Sequence, residues 1–144
     1  MSRPALVFSI LMTIALGIPA GVLADQPRAD RVVYHLDDAA NASWGMMLAG
    51  GHLDLDKDAH IVFVAYGPGI DFLLDGAEDH KGNPYNIRVE SLQERGVEFR
   101  VCEQTLKFRK IDKDQLLDGV TLVPSGAYEI ARLQNQEGYA YFRP

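Results

Sequence analysis

The chain has 144 residues, of which 20 are acidic and 14 are basic, so that its net charge is −6, and it contains a single cysteine. An acidic chain without a cluster of lysine and arginine is a poor candidate for binding nucleic acid or an anionic membrane, and we exclude both classes. One cysteine also excludes an intramolecular disulfide framework and a self-contained dithiol redox cycle.

The first 24 residues have the pattern of a secretory signal peptide, with Arg3 ahead of an apolar run and small residues at positions −3 and −1 of a cleavage site after Ala24. We therefore predict cleavage after Ala24 and a periplasmic protein. Removing 24 of the 144 residues would leave 120, and because Arg3 is the only charge removed, the net charge would become −7. The alternative is an uncleaved membrane anchor, which needs about 20 apolar residues, but Pro19 and Gly21 interrupt this run.

Beyond a flexible lead-in at residues 25–30, strands and helices alternate along residues 31–144, which we interpret as one α/β domain. Period-two or continuous apolar patterns predict strands at residues 31–36, 61–66, 97–102, 120–123 and 139–142. Helical segments are predicted after Asp38, Pro68, Asn83, Cys102 and Ser125. This alternation implies a three-layer α/β sandwich with a mainly parallel five-stranded sheet.

Two helices carry more detailed predictions. In the first, Trp44, Met47 and Leu48 share one face, and we expect this face to pack in the core. In the helix that leads to the third strand, Asn83 is the expected N-cap and Pro84 the first helical residue.

The carboxyl ends of parallel strands meet at one edge of the sheet, where ligands of such folds bind. The candidate binding residues that this rule brings together are His35, Asp37, Gly67, Pro68, Gly69, Pro124, Ser125 and Gly126. The turn around Pro68 could hold an anion on its backbone amides or be a plain turn. His35 could serve as a base for Cys102 or be a hydrogen-bonded residue at a strand end.

Cys102 ends the third strand and opens into a basic segment at residues 106–110. Helix amides and nearby cations both stabilise a thiolate, so Cys102 is the candidate catalytic residue if the protein performs covalent chemistry. The other interpretation, which the sequence leaves open, is a buried cysteine that packs as a small hydrophobic residue.

Other catalytic patterns are missing from the sequence. It contains no phosphate-binding loop, no dinucleotide fingerprint and no G-x-S-x-G elbow. The four histidines lack metal-ligand spacing, so we predict no metal and no cofactor, with a site shared by His35 and Cys102 as a minor alternative. A single thiolate can nevertheless accept the outer sulfur of a persulfide and pass it on without a cofactor.

Residues 33–37, 61–74, 96–102, 123–126, 131–133 and 138–141 together resemble the DsrE-like family, the DsrE/DsrF/DsrH superfamily of small sulfur-relay proteins. The resemblance implies a five-stranded α/β fold and a homo-oligomer, often a trimer or a hexamer. It also implies that Cys102 carries sulfur as a persulfide and exchanges it with a donor or acceptor protein. The alternative is a non-enzymatic module that binds a small ligand or assembles subunits and in which Cys102 is structural.

Overall fold

The computed structural model describes residues 29–144, so the predicted signal peptide lies outside the described residues. The strands are β1 (Arg31–Leu36), β2 (His60–Ala65), β3 (Glu98–Cys102), β4 (Thr121–Val123) and β5 (Ala140–Phe142). The α-helices are α1 (Ala42–Leu55), α2 (Tyr85–Glu94), α3 (Glu103–Arg109) and α4 (Gly126–Glu137), with 3-10 helices at Ala39–Asn41, Gly67–Leu73 and Lys113–Gln115. Between residues 29 and 144, no helix is long and apolar enough to cross a membrane.

The five strands form one sheet in the order β4-β3-β2-β1-β5, and every pairing is parallel. This confirms the predicted fold class. Aromatic residues pack along the centre of the sheet, where the ring of Phe63 stacks on Tyr34 and on Phe99 with centroids 4.9 Å apart. The carboxyl ends of β1 to β4 consequently lie along one edge, as predicted.

Helices cover both faces of the sheet, which gives three layers. The chain runs from β1 outward to β4 and then returns to β5 on the far side of β1. Because parallel crossovers are right-handed, this reversal places α4 on the face opposite α1 and α2. Ile130 and Leu133 of α4 accordingly pack on Val33, Val62 and Val64, in a core separate from the larger one under α1 and α2.

The predicted core face of α1 is wrong for Trp44 and Met47, whereas Leu48 is partly buried against the core. Trp44 and Met47 are about half exposed (54% and 52%), whereas Met46 and Ala49 are buried. The helix instead presents small residues to the sheet: a Cβ placed on Gly45 would lie 3.4 Å from the ring of Phe63. Apolar residues occur all around this helix, so its periodicity did not determine which face packs inward.

The start of α2 also differs from the prediction. The helix begins at Tyr85, and Pro84 is the capping residue. Asn83 does not cap the helix; its side-chain amide donates to both carboxylate oxygens of Asp79, at 3.1 and 3.0 Å. Asp79 also accepts a hydrogen bond from the backbone amide of Asn83 and so closes the short loop before the helix. The Asn83 side chain is therefore used within this loop and does not cap α2.

Candidate functional site around Cys102

Cys102 is the last residue of β3, and α3 begins at the next residue. Its backbone is extended, so the strand turns into the helix without an intervening loop. The side chain is only 5% exposed, yet it lines an open pocket at the carboxyl edge of the sheet. The thiol is therefore nearly buried at the bottom of a pocket.

Burial raises the pKa of the Cys102 thiol, but hydrogen bonds to the sulfur outweigh this effect and leave the pKa below its ordinary value. The donors are the backbone amide of Gly126, the amide and hydroxyl of Thr105 and the amide of Gln104. Hydrogen bonds to the charged form of an acid favour ionisation. The surroundings of Cys102 thus favour a thiolate, which is the nucleophilic form.

Thr105 connects the thiol to the turn after β2. Its hydroxyl oxygen accepts a hydrogen bond from the Gly67 amide at 2.9 Å, while the hydroxyl group also bonds to the sulfur of Cys102. A hydroxyl has one proton and two lone pairs, so it can accept from the amide and donate to the sulfur at once. The amide therefore leaves the Thr105 proton free for the sulfur.

The cations of α3 are engaged elsewhere. Arg109 donates to the carboxylate of Asp71 at 2.6 Å and to the Gly67 carbonyl at 3.1 Å, and Lys107 pairs with Glu103 at 3.5 Å. Both pairs are partly exposed. Amides and a hydroxyl, rather than the predicted basic segment, are therefore the groups that lower the pKa of Cys102.

The pocket above Cys102 has a volume of about 620 Å³ and mainly apolar walls. Its lining residues are Tyr66, Gly67, Pro68, Cys102, Gln104, Thr105, Phe108, Arg109, Ser125 and Ala127. Phe108 is 90% exposed at its rim. The one charged side chain of the lining, Arg109, is already paired. An open pocket of this kind suits a small or extended group that approaches the sulfur along its apolar walls.

Four of the predicted binding residues lie at the pocket or at the sulfur. Gly67, Pro68 and Ser125 line the pocket, and Gly126 donates its amide to Cys102. Gly126 must lack a side chain, because a Cβ there would lie 2.9 Å from the Tyr66 ring and 3.3 Å from the Cβ of Cys102. Ser125 caps α4 by accepting from the Tyr128 amide at 3.4 Å.

His35 does not line the pocket. It is buried, and its Nδ1 lies 2.6 Å from the hydroxyl of Tyr141. Its ring packs against Tyr66 with centroids 4.7 Å apart, so Tyr66 is the residue that contacts both His35 and the pocket. Burial lowers the pKa of His35, which favours the neutral ring. Its Nε2 has no hydrogen-bond partner within residues 29–144.

The remaining predicted residues, Asp37, Gly69 and Pro124, do not line the pocket either. Asp37 pairs with Arg143 through two hydrogen bonds of 3.2 and 2.5 Å, which tie the end of β1 to the C-terminal segment. Gly69 lies against β1, where a Cβ would be only 2.1 Å from the Leu36 carbonyl oxygen. Asp37 and Gly69 shape the edge around the pocket, outside its lining.

Sequence reasoning missed several lining residues, above all Tyr66 and Thr105. The signal for Thr105 was present, because a residue three positions after Cys102 lies in the first turn of the helix that follows it. Tyr66 was assigned to the end of a strand, and nothing in its spacing indicated contact with α4. Among residues 29–144, no group of three or more histidine, cysteine or acidic side chains could hold a metal ion.

Comparisons with known proteins agree with this architecture. A model of the DsrE/DsrF-like family matches residues 26–144. The chain is similar to the solved structure of a protein of unknown function, MTH1491 from Methanobacterium thermoautotrophicum, with 36% identity and a TM-score of 0.66 over 80% of this chain and 99% of that one. It also shares the fold of the ychN protein from E. coli, at 15% identity and a TM-score of 0.64 over 78% and 99% of the two chains. No curated protein matches in sequence.

Proposed function

We propose that this chain, which belongs to the DsrE/DsrF-like family, binds or relays sulfane sulfur as a persulfide on Cys102. The observation that carries the proposal is the position of Cys102 in the pocket at the carboxyl end of β3, beside Gly126 at the start of α4. Three amides and one hydroxyl at this position lower the pKa of the thiol. A thiolate held by fixed donors is both a better populated nucleophile and a better leaving group.

The reaction balances without a cofactor. The Cys102 thiolate attacks the outer sulfur of a donor persulfide, R–S–SH; a bond forms between the two sulfurs, and the bond between the outer sulfur and R–S breaks. The products are Cys102–S–SH and the donor thiolate R–S⁻, with the proton kept on the transferred sulfur. An acceptor thiolate reverses these steps, and Cys102 leaves as the thiolate that its donors stabilise.

The pocket supports this chemistry in a second way. A sulfur that is 5% exposed at the base of a mainly apolar pocket is shielded from bulk solvent. Because oxidation of a cysteine follows its exposure as well as its thiolate character, shielding would preserve the thiolate and its persulfide between donor and acceptor.

The same low exposure favours the second candidate, a binding or assembly module in which Cys102 is structural. The two functions differ in the reactivity of the folded protein. A structural cysteine would react with a thiol reagent only after denaturation, whereas a sulfur carrier would react in its native state.

The test is the intact mass of the protein after incubation with polysulfide or thiosulfate, beside Cys102→Ala. The proposal requires a gain of one or more sulfur atoms that reductant removes and that the variant does not show. A variant that gains sulfur as well as the wild type refutes it. The same spectrum shows whether residues 1–24 are removed, which tests our proposal that the protein is exported to the periplasm.

We also propose that the protein is a homo-oligomer. Two features of the described surface support self-association. Met47 and Leu55 on α1 have exposed apolar side chains, and the neighbouring outer strand β5 has three exposed residues. An unpaired strand edge beside apolar side chains is a surface that proteins commonly cover.

A further inference from the structure

We propose that Glu129 is a positioning residue for Cys102. Its buried ion pair with Arg100 holds α4 against β3 at the spacing that lets the Gly126 amide reach the sulfur. The inference deepens the proposed function and rests on it in one respect, namely that the thiolate is the working group of the protein.

Each residue of the pair lies close in sequence to a residue of the site, Arg100 to Cys102 on β3 and Glu129 to Gly126 on α4. Arg100 precedes Cys102 by two residues on β3 and therefore lies on the same face of the sheet, the face that α4 covers. Glu129 follows Gly126 by one helical turn on α4. The Arg100 guanidinium donates to Oε1 of Glu129, and the carboxylate is buried.

The carboxylate is held from a second side. Arg132 of α4 donates to both oxygens of Glu129, at 2.8 and 3.0 Å. This bidentate contact fixes the rotamer of Glu129 from its own helix. The Glu129 carboxylate can then act as a spacer of defined length between α4 and β3.

The apolar contacts of α4 do not perform this task. Its buried residues Ile130 and Leu133 pack on valines of β1 and β2, and the apolar core on that face contains no residue of β3. At β3, the contacts of α4 are the pair of Glu129 with Arg100 and the approach of Gly126 to Cys102. The ion pair is therefore the polar link that holds the first turns of α4 against β3, in addition to the chain connection through β4, whose Val123 pairs with Cys102.

A contribution to stability is a weaker explanation of the pair. The desolvation of two charges offsets most of their attraction, and well-packed apolar residues are often as stable. A carboxylate with two arginine partners does, however, fix the relative position of two elements to within a hydrogen-bond length.

A purely electrostatic role of Glu129 predicts the opposite direction for the change in the Cys102 pKa when Glu129 is neutralised. The charged groups linked to the pair are Glu98 on β3, which pairs with Arg100, and Arg132 on α4, which pairs with Glu129 and with Glu137. The charged groups of α3, the helix that follows Cys102, are Glu103, Lys107 and Arg109. Neutralising Glu129 would leave Arg100, two residues from the sulfur, paired only with the exposed Glu98, and a nearby cation lowers a thiol pKa. Displacement of the Gly126 amide would raise it.

The test measures the pH dependence of iodoacetamide alkylation of Cys102, without any sulfur donor. We expect Glu129→Gln to raise the thiol pKa by about one unit, which is a tenfold loss of rate at a pH below the pKa. Glu98→Gln, which removes only the exposed partner of Arg100, is the matched control and should leave the pKa near that of the wild type. An unchanged or lowered pKa in Glu129→Gln overturns the inference.

Glu129→Asp separates position from charge, because it keeps the carboxylate and shortens its reach by one methylene group. Positioning predicts a raised thiol pKa in this variant too; a purely electrostatic role predicts the wild-type value. If both Glu129 variants fail to fold while Glu98→Gln folds, the pair serves the whole fold and the positioning role is rejected. A wild type that gains no sulfur would refute the proposed function and leave these alkylation results intact.

Discussion

The hydroxyl of Thr105 is the donor to Cys102 that a substitution can remove with the least change of shape. Thr105→Val replaces the hydroxyl by a methyl group and leaves the backbone amides of Thr105, Gln104 and Gly126 in place. It also leaves the Gly67 amide without the acceptor that lies 2.9 Å away.

The expected effect follows from the strength of one hydrogen bond to a charged group, about 1.5–3 kcal/mol in proteins. Sulfur is a weak acceptor, so we take the lower end of this range. One pKa unit corresponds to about 1.4 kcal/mol, and we therefore expect Thr105→Val to raise the pKa of Cys102 by about one unit.

The assay is the pH dependence of iodoacetamide alkylation, followed by intact mass, with thiolate absorbance as a second readout and Cys102→Ala as the blank. Thr121→Val makes the same chemical change on β4 at an exposed position and should leave the pKa of Cys102 unchanged. If Thr105→Val has the same thiol pKa as Thr121→Val, the donor set derived for this site is wrong.

Three further predictions concern stability and assembly. Folding lowers the pKa of Cys102. The stability of the wild type relative to Cys102→Ala should therefore be greatest above the unfolded pKa of about 8.5 and decline as pH falls through the lower folded pKa. If the two proteins differ in free energy of unfolding in urea by the same amount at pH 6 and at pH 9, this prediction is wrong. Gly69→Ala should cost about 3 kcal/mol by overpacking, whereas Gly51→Ala, with open space around it, should stabilise α1 by up to about 1 kcal/mol; similar urea midpoints for the two variants would refute the close approach of Gly69 to Leu36. Replacing Met47 and Leu55 together by glutamine should lower the mass measured by light scattering, and an unchanged oligomer would exclude that surface.

The fold was predictable because its signals are local and repeated. The continuous apolar run of β2 requires cover on both faces of a parallel sheet, and the alternation in β3 places Phe99 and Val101 on one face and Cys102 on the other. The face of α1 was not predictable, because Trp44 and Met47 are as apolar as Met46. What decided between them was the close fit of Gly45 against Phe63, a contact between distant segments.

The site was predictable in its location and not in its chemistry. The rule for parallel sheets placed Cys102 at the same edge as the glycine-rich turns. The donors that lower its pKa are backbone amides, which every residue has, so no residue type in the sequence indicates them. The basic segment gave a visible signal, but its arginine, Arg109, is paired with Asp71.

The measurement that tests the central claim most directly is transfer from the loaded protein. Wild-type protein that carries sulfur on Cys102 is freed of donor and mixed with one equivalent of a small thiol, and the masses of both partners are followed. The account predicts that the protein loses the added sulfur, regains its original mass and produces an equal amount of persulfide on the thiol. Two results would contradict the account: wild-type protein that gains no sulfur in its native state, or a Cys102→Ala variant that gains as much sulfur as the wild type.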